Sequence, residues 1–371
     1  MANQNEFTNN EIMRYSRHLL LDKVGVSGQS KLNKARVLII GIGGLGNPAA
    51  QYLAAAGVGH IGLLDPDVVS LSNLQRQILF SESDIGKPKV EIAKRQLLRI
   101  NPNVHISANF DAFSTDKSEE LIKTFDIVLD CTDNFPCRYG INEVCTKLKK
   151  INVHGAIYKF DGQISVFDGA NGPCYRCLYP TPPSAAAIPN CAATGVLGVL
   201  PGLIGVMQAT EAIKLILGIG KTLRGRLLHF DALNMDKKEF ALEKDPNCPC
   251  CVFNQQLSFD DVESCENRPA ESNGISPIEV KQDPKAILLD IRSAGERAIS
   301  KIEGSIHCTP EQLREKISTI PHNKTIVLYC KSGIRSAKSV EMLSDMDRTI
   351  SSLNGGIINW INCVDKELPL Y

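Results

Sequence analysis

Residues 35–46 read ARVLIIGIGGLG. A short apolar run that stops on glycines spaced G-x-G-x-x-G predicts a buried strand, a tight turn and the start of a helix. The glycines let backbone amides approach a phosphate, and the helix N-terminus favours negative charge there. Two further apolar runs follow, GHIGLLDPD (59–67) and FDIVLDCTDN (125–134), with helical patterns such as 87–100 between them. Strands alternating with helices predict a parallel sheet covered on both faces. Residues 9–32 read as two short helices ahead of the first strand. After residue 150 the pattern changes. NVHGAIYKFDGQISVF (152–167) reads as paired antiparallel strands around an Asp-Gly turn. The fold class is therefore α/β, with a Rossmann-like domain whose sheet is mixed.

A chain of 371 residues is too long for one ordinary core, so two domains are expected. A polar, acidic stretch with Pro and Gly at 257–274 reads as a linker. Beyond it, AILLDI and TIVLYC are strand candidates, and PEQLREKIS and IRSAKSVEML are helix candidates. The expected division is residues 1–252, a linker at 253–273, and a smaller α/β domain at 274–371. Lys+Arg and Asp+Glu are equal at 41 each, so no basic field points to nucleic acid. The apolar stretch at 192–210 is Gly-rich, holds Pro201 and runs on into Glu211, so it reads as a core helix and not a membrane span. The first residues, MANQNEFTNN, lack an export pattern. The thirteen cysteines are then expected to be reduced, in a cytoplasmic protein.

The residues after the glycine turn narrow the chemistry. Gly41, Gly43, Gly44 and Gly46 suit a nucleotide, and Asp65 suits a ribose hydroxyl; both fit NAD or ATP. Asn73, Arg76 and Lys89 separate the two, because they could surround a triphosphate and stabilise charge developing on it. Asp130 and Asp133 fall at the end of the FDIVLD strand, where a carboxylate beside phosphates can hold Mg²⁺. The plainer reading of that pair is a cap on the following helix.

Cysteines give two more sites. Cys174 and Cys177 form one C-x-x-C, and Cys248 and Cys251 a second, the spacing of a closed, structural tetrahedral zinc site. Cys250 is left over. In YCKSGIRSAKS (329–339), backbone amides can curl around Cys330 at a helix N-terminus, with Lys331 and Arg335 favouring the thiolate. A phosphatase loop needs five residues between Cys and Arg; here there are four. Cys191, after the Pro-rich 179–189, is a candidate thiol at a helix start. Cys131, Cys137, Cys145, Cys265, Cys308 and Cys363 read as small buried residues, with Cys265 in the linker. No histidine shows ligand spacing.

The ordered set RYSRHLLL, GIGGLG, LLDPDVVSLSNLQRQ, GKPKVE, LDCTDN and PCYRC, over residues 8–251, resembles the MoeB/ThiF family of ubiquitin-activating-like adenylyltransferases. Residues 272–371 resemble a single-domain rhodanese, although Lys301 and Glu303 stand where that family has His and Pro. The resemblance implies ATP-dependent adenylation of the C-terminal Gly-Gly carboxylate of a ubiquitin-like sulfur carrier of the MoaD/ThiS kind. It implies Asp133 on Mg²⁺ and Arg17 reaching the ATP site of the second subunit of a homodimer. It implies Cys191 as a covalent partner of the carrier. It also implies Cys330 as a persulfide, loaded by a donor such as a cysteine desulfurase, in molybdenum-cofactor, thiamine, cysteine or tRNA thiolation. Two other readings stand beside it: an NAD-dependent oxidoreductase, and a carrier-binding scaffold whose rhodanese domain only senses sulfur.

Overall fold

The computed structural model describes residues 7–183, 195–255 and 274–370. The chain divides into two compact units, Met1–Cys265 and Glu266–Tyr371. In the first, helices α1 (Asn9–Leu19) and α2 (Gly25–Lys34) precede β1 (Arg36–Ile40), α3 (Gly46–Ala56) and β2 (His60–Leu64). Then come α4 (Lys89–Ile100), β3 (His105–Asn109), α5 (Thr115–Lys123), β4 (Ile127–Asp130) and α6 (Phe135–Lys147). β5 (Ile151–Tyr158), β6 (Asp161–Phe167), α7 (Tyr175–Leu178), α8 (Leu200–Leu217), β7 (Arg226–Asp231) and β8 (Asp236–Ala241) complete it.

The sheet order is β3-β2-β1-β4-β5-β6-β7-β8. It is parallel from β3 to β5 and antiparallel from β5 to β8. The mixed sheet read from the sequence is thus found, with three strands more, β3, β7 and β8. β3 sits at the edge and carries half-exposed residues, so its apolar signal is weak. The β5–β6 hairpin turns at Lys159 and Phe160, not at Asp161–Gly162: Tyr158 pairs with Asp161, and Lys159 takes the left-handed φ of 53°. Gly162 serves packing instead. A Cβ there would lie 2.5 Å from Ile204 Cδ1 on α8. α8 is long and apolar enough to cross a membrane by composition alone, but it is half-buried and packs Ile204, Ala209 and Ala212 into the main core.

The second unit is a parallel sheet of order β10-β9-β11-β12. Its elements are α9 (Pro277–Gln282), β9 (Ala286–Asp290), α10 (Ala294–Ile299), β10 (Ile306–His307), α11 (Leu313–Ser318), β11 (Thr325–Tyr329), α12 (Ile334–Met342), β12 (Ile350–Ser352) and α13 (Gly356–Cys363). Behind its strand ends lies a buried ion-pair cluster. Arg292, with a fully buried side chain, donates to both oxygens of Asp290 at 2.8 and 2.7 Å. Arg297 and Tyr329 donate to Asp290 as well, at 3.0 and 2.8 Å.

Candidate functional site

The glycine turn closes on backbone, which is why side chains are excluded from it. Gly41 has φ 90°, and a Cβ there would lie 2.7 Å from the Cys131 carbonyl oxygen. At Gly46 a Cβ would lie 2.0 Å from the Gly41 oxygen. Asp65 is 5% exposed and spends both oxygens on this turn region. The Ile42 amide donates to one at 2.6 Å and the Asp67 amide to the other at 2.8 Å. Burial pushes the Asp65 carboxyl above its usual range, with Lys89 opposing.

The cations expected around a triphosphate gather at the same edge. Gly44 faces the Arg76 side chain, whose Nη1 donates to the Ser72 oxygen at 3.0 Å. Asn73 lies in the short turn of helix Leu71–Asn73 and accepts the Ser70 amide at 3.4 Å. Lys89 is buried, and its Nζ donates to Asp67 Oδ2 at 2.6 Å. Asp67 also takes the Lys89 backbone amide on its own carbonyl, at 3.0 Å. Asp67, two residues beyond Asp65 in DPD, is a partner of Lys89 that the sequence pattern alone does not mark.

The two aspartates after β4 part company. Asp130 is fully buried. It accepts from Thr132 Oγ1 at 2.7 Å and pairs with His154 Nδ1 at 2.9 Å. Burial works against its charge, but His154, Arg138 and Thr132 outweigh that and hold its carboxyl below the usual range. Burial likewise holds His154 below its usual value, so the pair is carboxylate and neutral imidazole at neutral pH. Asp130 is thus a structural anchor with no oxygen turned to solvent, and His154 is the partner the sequence did not reveal. Asp133 is exposed and makes no hydrogen bond or ion pair among the described residues. It does not cap α6 either, because Asn134 does, accepting the Cys137 amide at 2.9 Å.

Arg17 lies elsewhere. On the same helix, Tyr15 packs on Gly57 and accepts from Asn101 Nδ2 at 2.9 Å, and Arg14 donates to the Ile100 oxygen at 2.9 Å. These partners sit just ahead of β2 and β3, so α1 docks at the N-terminal edge of the parallel strands. The glycine turn is at the opposite edge, a five-residue strand away, about 17 Å. Arg17 itself is exposed.

Cys174, Cys177, Cys248 and Cys251 converge, with all four sulfurs within 4.8 Å of one another. Three of the sulfur–sulfur separations are 3.7 Å (Cys174–Cys248), 4.0 Å (Cys174–Cys177) and 3.5 Å (Cys177–Cys251). Sulfurs placed tetrahedrally at about 2.3 Å from a metal lie about 3.8 Å apart, so the group fits a four-thiolate centre. Burial and the thiols of Cys177 and Cys248 push Cys251 up to about 12, a clustering of would-be anions that a cation relieves. Cys250 stands outside the four. It is buried and accepts Asn142 Nδ2 at 3.4 Å. Burial raises Cys131 and Cys145 well up, and Cys137 to about 11. Cys308 is buried too, but Cys363 is exposed on α13, against the expectation of a core thiol. Cys191 and Cys265 lie outside the described residues, as does nearly all of the expected linker.

In the second unit, Cys330 ends β11 and is 1% exposed. The loop curls as expected, and Gly333, at φ 92°, donates its amide to Sγ at 3.1 Å. The start of α13 braces the loop: Ile357 donates to the Cys330 oxygen at 2.9 Å, and a Cβ on Gly356 would meet that oxygen at 2.5 Å. Arg335 is turned to Glu296 on α10, at 2.6 and 3.2 Å, so its charge is shared with a carboxylate. Burial lowers the Lys331 ammonium.

A Rossmann-like domain with a phosphate turn and a four-thiol cluster, joined to an α/β unit that cradles one cysteine, defines an enzyme with two chemistries on one chain. Residues 15–250 match the ThiF family and residues 278–363 the rhodanese-like domain. The chain belongs to the ThiF family, carries a C-terminal rhodanese-like domain, and is an adenylyltransferase and sulfurtransferase. It is 39% identical to a probable adenylyltransferase/sulfurtransferase MoeZ of Mycobacterium tuberculosis, over 97% of this chain and 95% of that one. It is also 39% identical to the adenylyltransferase and sulfurtransferase MOCS3-1 of Drosophila pseudoobscura pseudoobscura, over 99% and 87%. Among solved structures, Escherichia coli MccB with MccA-N7isoASN shares the fold, with TM-score 0.59 and 23% identity over 67% of this chain and 76% of that one. These relatives favour the adenylating reading over the oxidoreductase.

Proposed function

We propose that the first unit uses ATP to adenylate the C-terminal Gly-Gly carboxylate of a ubiquitin-like sulfur carrier, and that Cys330 supplies the sulfur. The observation that carries this is an exposed Asp133, without a hydrogen bond or ion pair among the described residues, at the same sheet edge as the glycine turn, Arg76 and Lys89. Backbone at Gly41, Gly43, Gly44 and Gly46 receives the nucleotide, and Asp65 faces the ribose. Asn73, Arg76 and Lys89 bind phosphates, with Lys89 leaving Asp67 to do so. Asp133 holds Mg²⁺, which neutralises charge on the phosphates. The carrier carboxylate attacks the α-phosphorus, pyrophosphate leaves, and an acyl-adenylate remains. Because α1 docks at the far edge of the sheet, Arg17 can serve this chemistry only in the site of a second subunit, which supports a homodimer.

The four cysteines hold Zn²⁺ structurally. Cys330 carries a persulfide, taken from a donor such as a cysteine desulfurase in the cytoplasm. Its terminal sulfur attacks the acyl carbon and displaces AMP, or displaces Cys191 where that thiol has first taken the carrier. A second thiol, Cys191 or a small thiol reductant, then attacks Cys330 Sγ, breaks the S–S bond, and leaves a disulfide as the thiocarboxylate departs. The domain limits read from the sequence, 1–252 and 274–371, fit this division of labour. The test is pyrophosphate exchange into ATP on adding a MoaD- or ThiS-type carrier. Exchange that depends on the carrier supports the reading; hydride transfer to NAD with no exchange sinks it. Cys330→Ala is expected to abolish thiocarboxylate formation and spare exchange, whereas a sulfur-sensing scaffold would lose neither.

A further inference from the structure

A buried sulfur anion needs more than one donor. Among the described residues, a single backbone amide reaches Cys330 Sγ, that of Gly333 at 3.1 Å. Behind the sulfur, away from solvent, stand two hydroxyls. Ser336, in the first turn of α12, is fully buried and has its Oγ 3.6 Å from Sγ. The same Oγ lies 3.0 Å from the Gly333 carbonyl and 2.8 Å from Ser352 Oγ at the end of β12. Ser352 is also buried and lies 3.4 Å from that carbonyl.

Two hydroxyl protons therefore have three neighbouring acceptors: Sγ, the Gly333 oxygen and the other hydroxyl. Two arrangements satisfy them. In the first, Ser336 donates to the Gly333 oxygen and Ser352 donates to Ser336. In the second, Ser336 donates to Sγ, and Ser352 takes over the Gly333 oxygen. The second suits a sulfur carrying full negative charge, and the first a sulfur bonded to a sulfane. Passing between them needs only rotation of two O–H bonds inside a packed core.

We propose that Ser336 is a catalytic residue of the sulfur-transfer half-reaction, donating its hydroxyl to Cys330 Sγ whenever that sulfur is a thiolate, with Ser352 as its positioning partner. The thiolate occurs at both ends of the cycle. In loading from thiosulfate, the Sγ lone pair attacks the outer sulfur, the S–S bond of thiosulfate breaks, and sulfite leaves with the electron pair. In discharge, a nucleophile such as cyanide attacks the outer sulfur of the persulfide. The Sγ–S bond breaks, thiocyanate forms, and Sγ departs with the electron pair as thiolate. Ser336 stabilises that leaving group. The charged groups around the loop are Lys331 and Arg335, the latter shared with Glu296. β12 and α13, packed behind it, contain no charged residue. The two hydroxyls are thus the polar supply from the buried side.

This inference rests on Cys330 being a sulfur carrier, so the experiment separates the two. Full-length wild type, Ser336→Ala and Ser352→Ala are treated with thiosulfate, and the mass gain of one sulfur is measured. Turnover with thiosulfate and cyanide, and alkylation of Cys330 by iodoacetamide from pH 5 to 10, are followed on the same proteins. Wild type is expected to gain one sulfur. Ser336→Ala should show kcat at neutral pH down about tenfold, the size of a charge-assisted hydrogen bond, with KM for thiosulfate changed by less than about twofold. Its alkylation should slow about tenfold at pH 7 and match wild type at pH 10. Ser352→Ala, which leaves Ser336 in place, should move both readouts the same way by about two- to threefold, and it carries the test if Ser336→Ala does not fold. A wild type that loads sulfur while both variants keep its pH profile and kcat overturns the role of Ser336 alone. A wild type that takes up no sulfur overturns the carrier reading and this inference with it.

Discussion

Replacing Asp133 by alanine should divide the enzyme's two chemistries. Asp133 precedes the Asn134 cap of α6, is exposed, and bonds to nothing among the described residues. Its structural worth is therefore a weak interaction with the helix N-terminus, and an exposed change of this kind costs about 0.5 kcal/mol or less. In a unit of this size that lowers the melting temperature by less than about 2 °C. Removing the cap itself, Asn134→Ala, costs about 1 kcal/mol and two to four degrees. The functional effect of Asp133→Ala runs the other way. Loss of an electrostatic stabiliser of the transferring phosphates should cut carrier-dependent pyrophosphate exchange about 10²- to 10³-fold. Thiosulfate:cyanide sulfur transfer, which belongs to the other unit, should be unchanged. Differential scanning fluorimetry and the two activity assays on one preparation suffice. Exchange within about threefold of wild type would refute the assignment. So would a melting loss larger than that of Asn134→Ala, because Asp133 would then be holding structure.

Three other outcomes follow from the described geometry. Metal analysis should find one zinc per chain, lost in Cys177→Ser and Cys251→Ser but kept in Cys250→Ser; loss in the last would move Cys250 into the ligand set. Asp290→Asn should destabilise the second unit by about 3–5 kcal/mol, since the fully buried Arg292 loses its counter-charge, and urea unfolding would measure it. His60 is held down to about 4 by burial, with His105 and Arg36 adding to the effect. The unfolded chain takes up that proton near 6.5 while the folded chain resists it, so stability should fall as pH drops from 6.5 towards 4. His60→Phe should flatten this part of the melting profile, and an unchanged slope would exclude His60 as its source.

What the sequence makes legible is what is encoded locally. The strand, turn and helix around Gly41–Gly46 need only neighbours in the chain, and C-x-x-C pairs announce themselves by spacing. The loop of Cys330 is equally self-contained. Pairings made across the fold were hidden. Asp130 looks like Asp133 in LDCTDN until His154, from the next strand, claims it. Arg335 looks like a free cation beside Cys330 until Glu296 takes it up. Ser336 looks like a helix serine until β12 brings Ser352 against it. The edge strand β3 escaped because one-sided burial leaves a mixed pattern, and Gly162 misled because its reason is the approach of Ile204. Cys363 misled because an apolar-looking helix still turns one side to water.

The docking of α1 at the far edge of the sheet has a consequence for how the enzyme responds to its own abundance. If, as proposed, Arg17 of a second chain completes the adenylation centre, that centre obeys mass action between subunits, whereas the cradle of Cys330 lies within one chain. Dilution below the dissociation constant of the pair should silence ATP chemistry while sulfur loading continues. The chain would then act as a sulfur reservoir when scarce and as a synthetase when plentiful. Mixing Arg17→Ala and Asp133→Ala subunits, each inert alone, should rebuild one working centre in every hybrid pair.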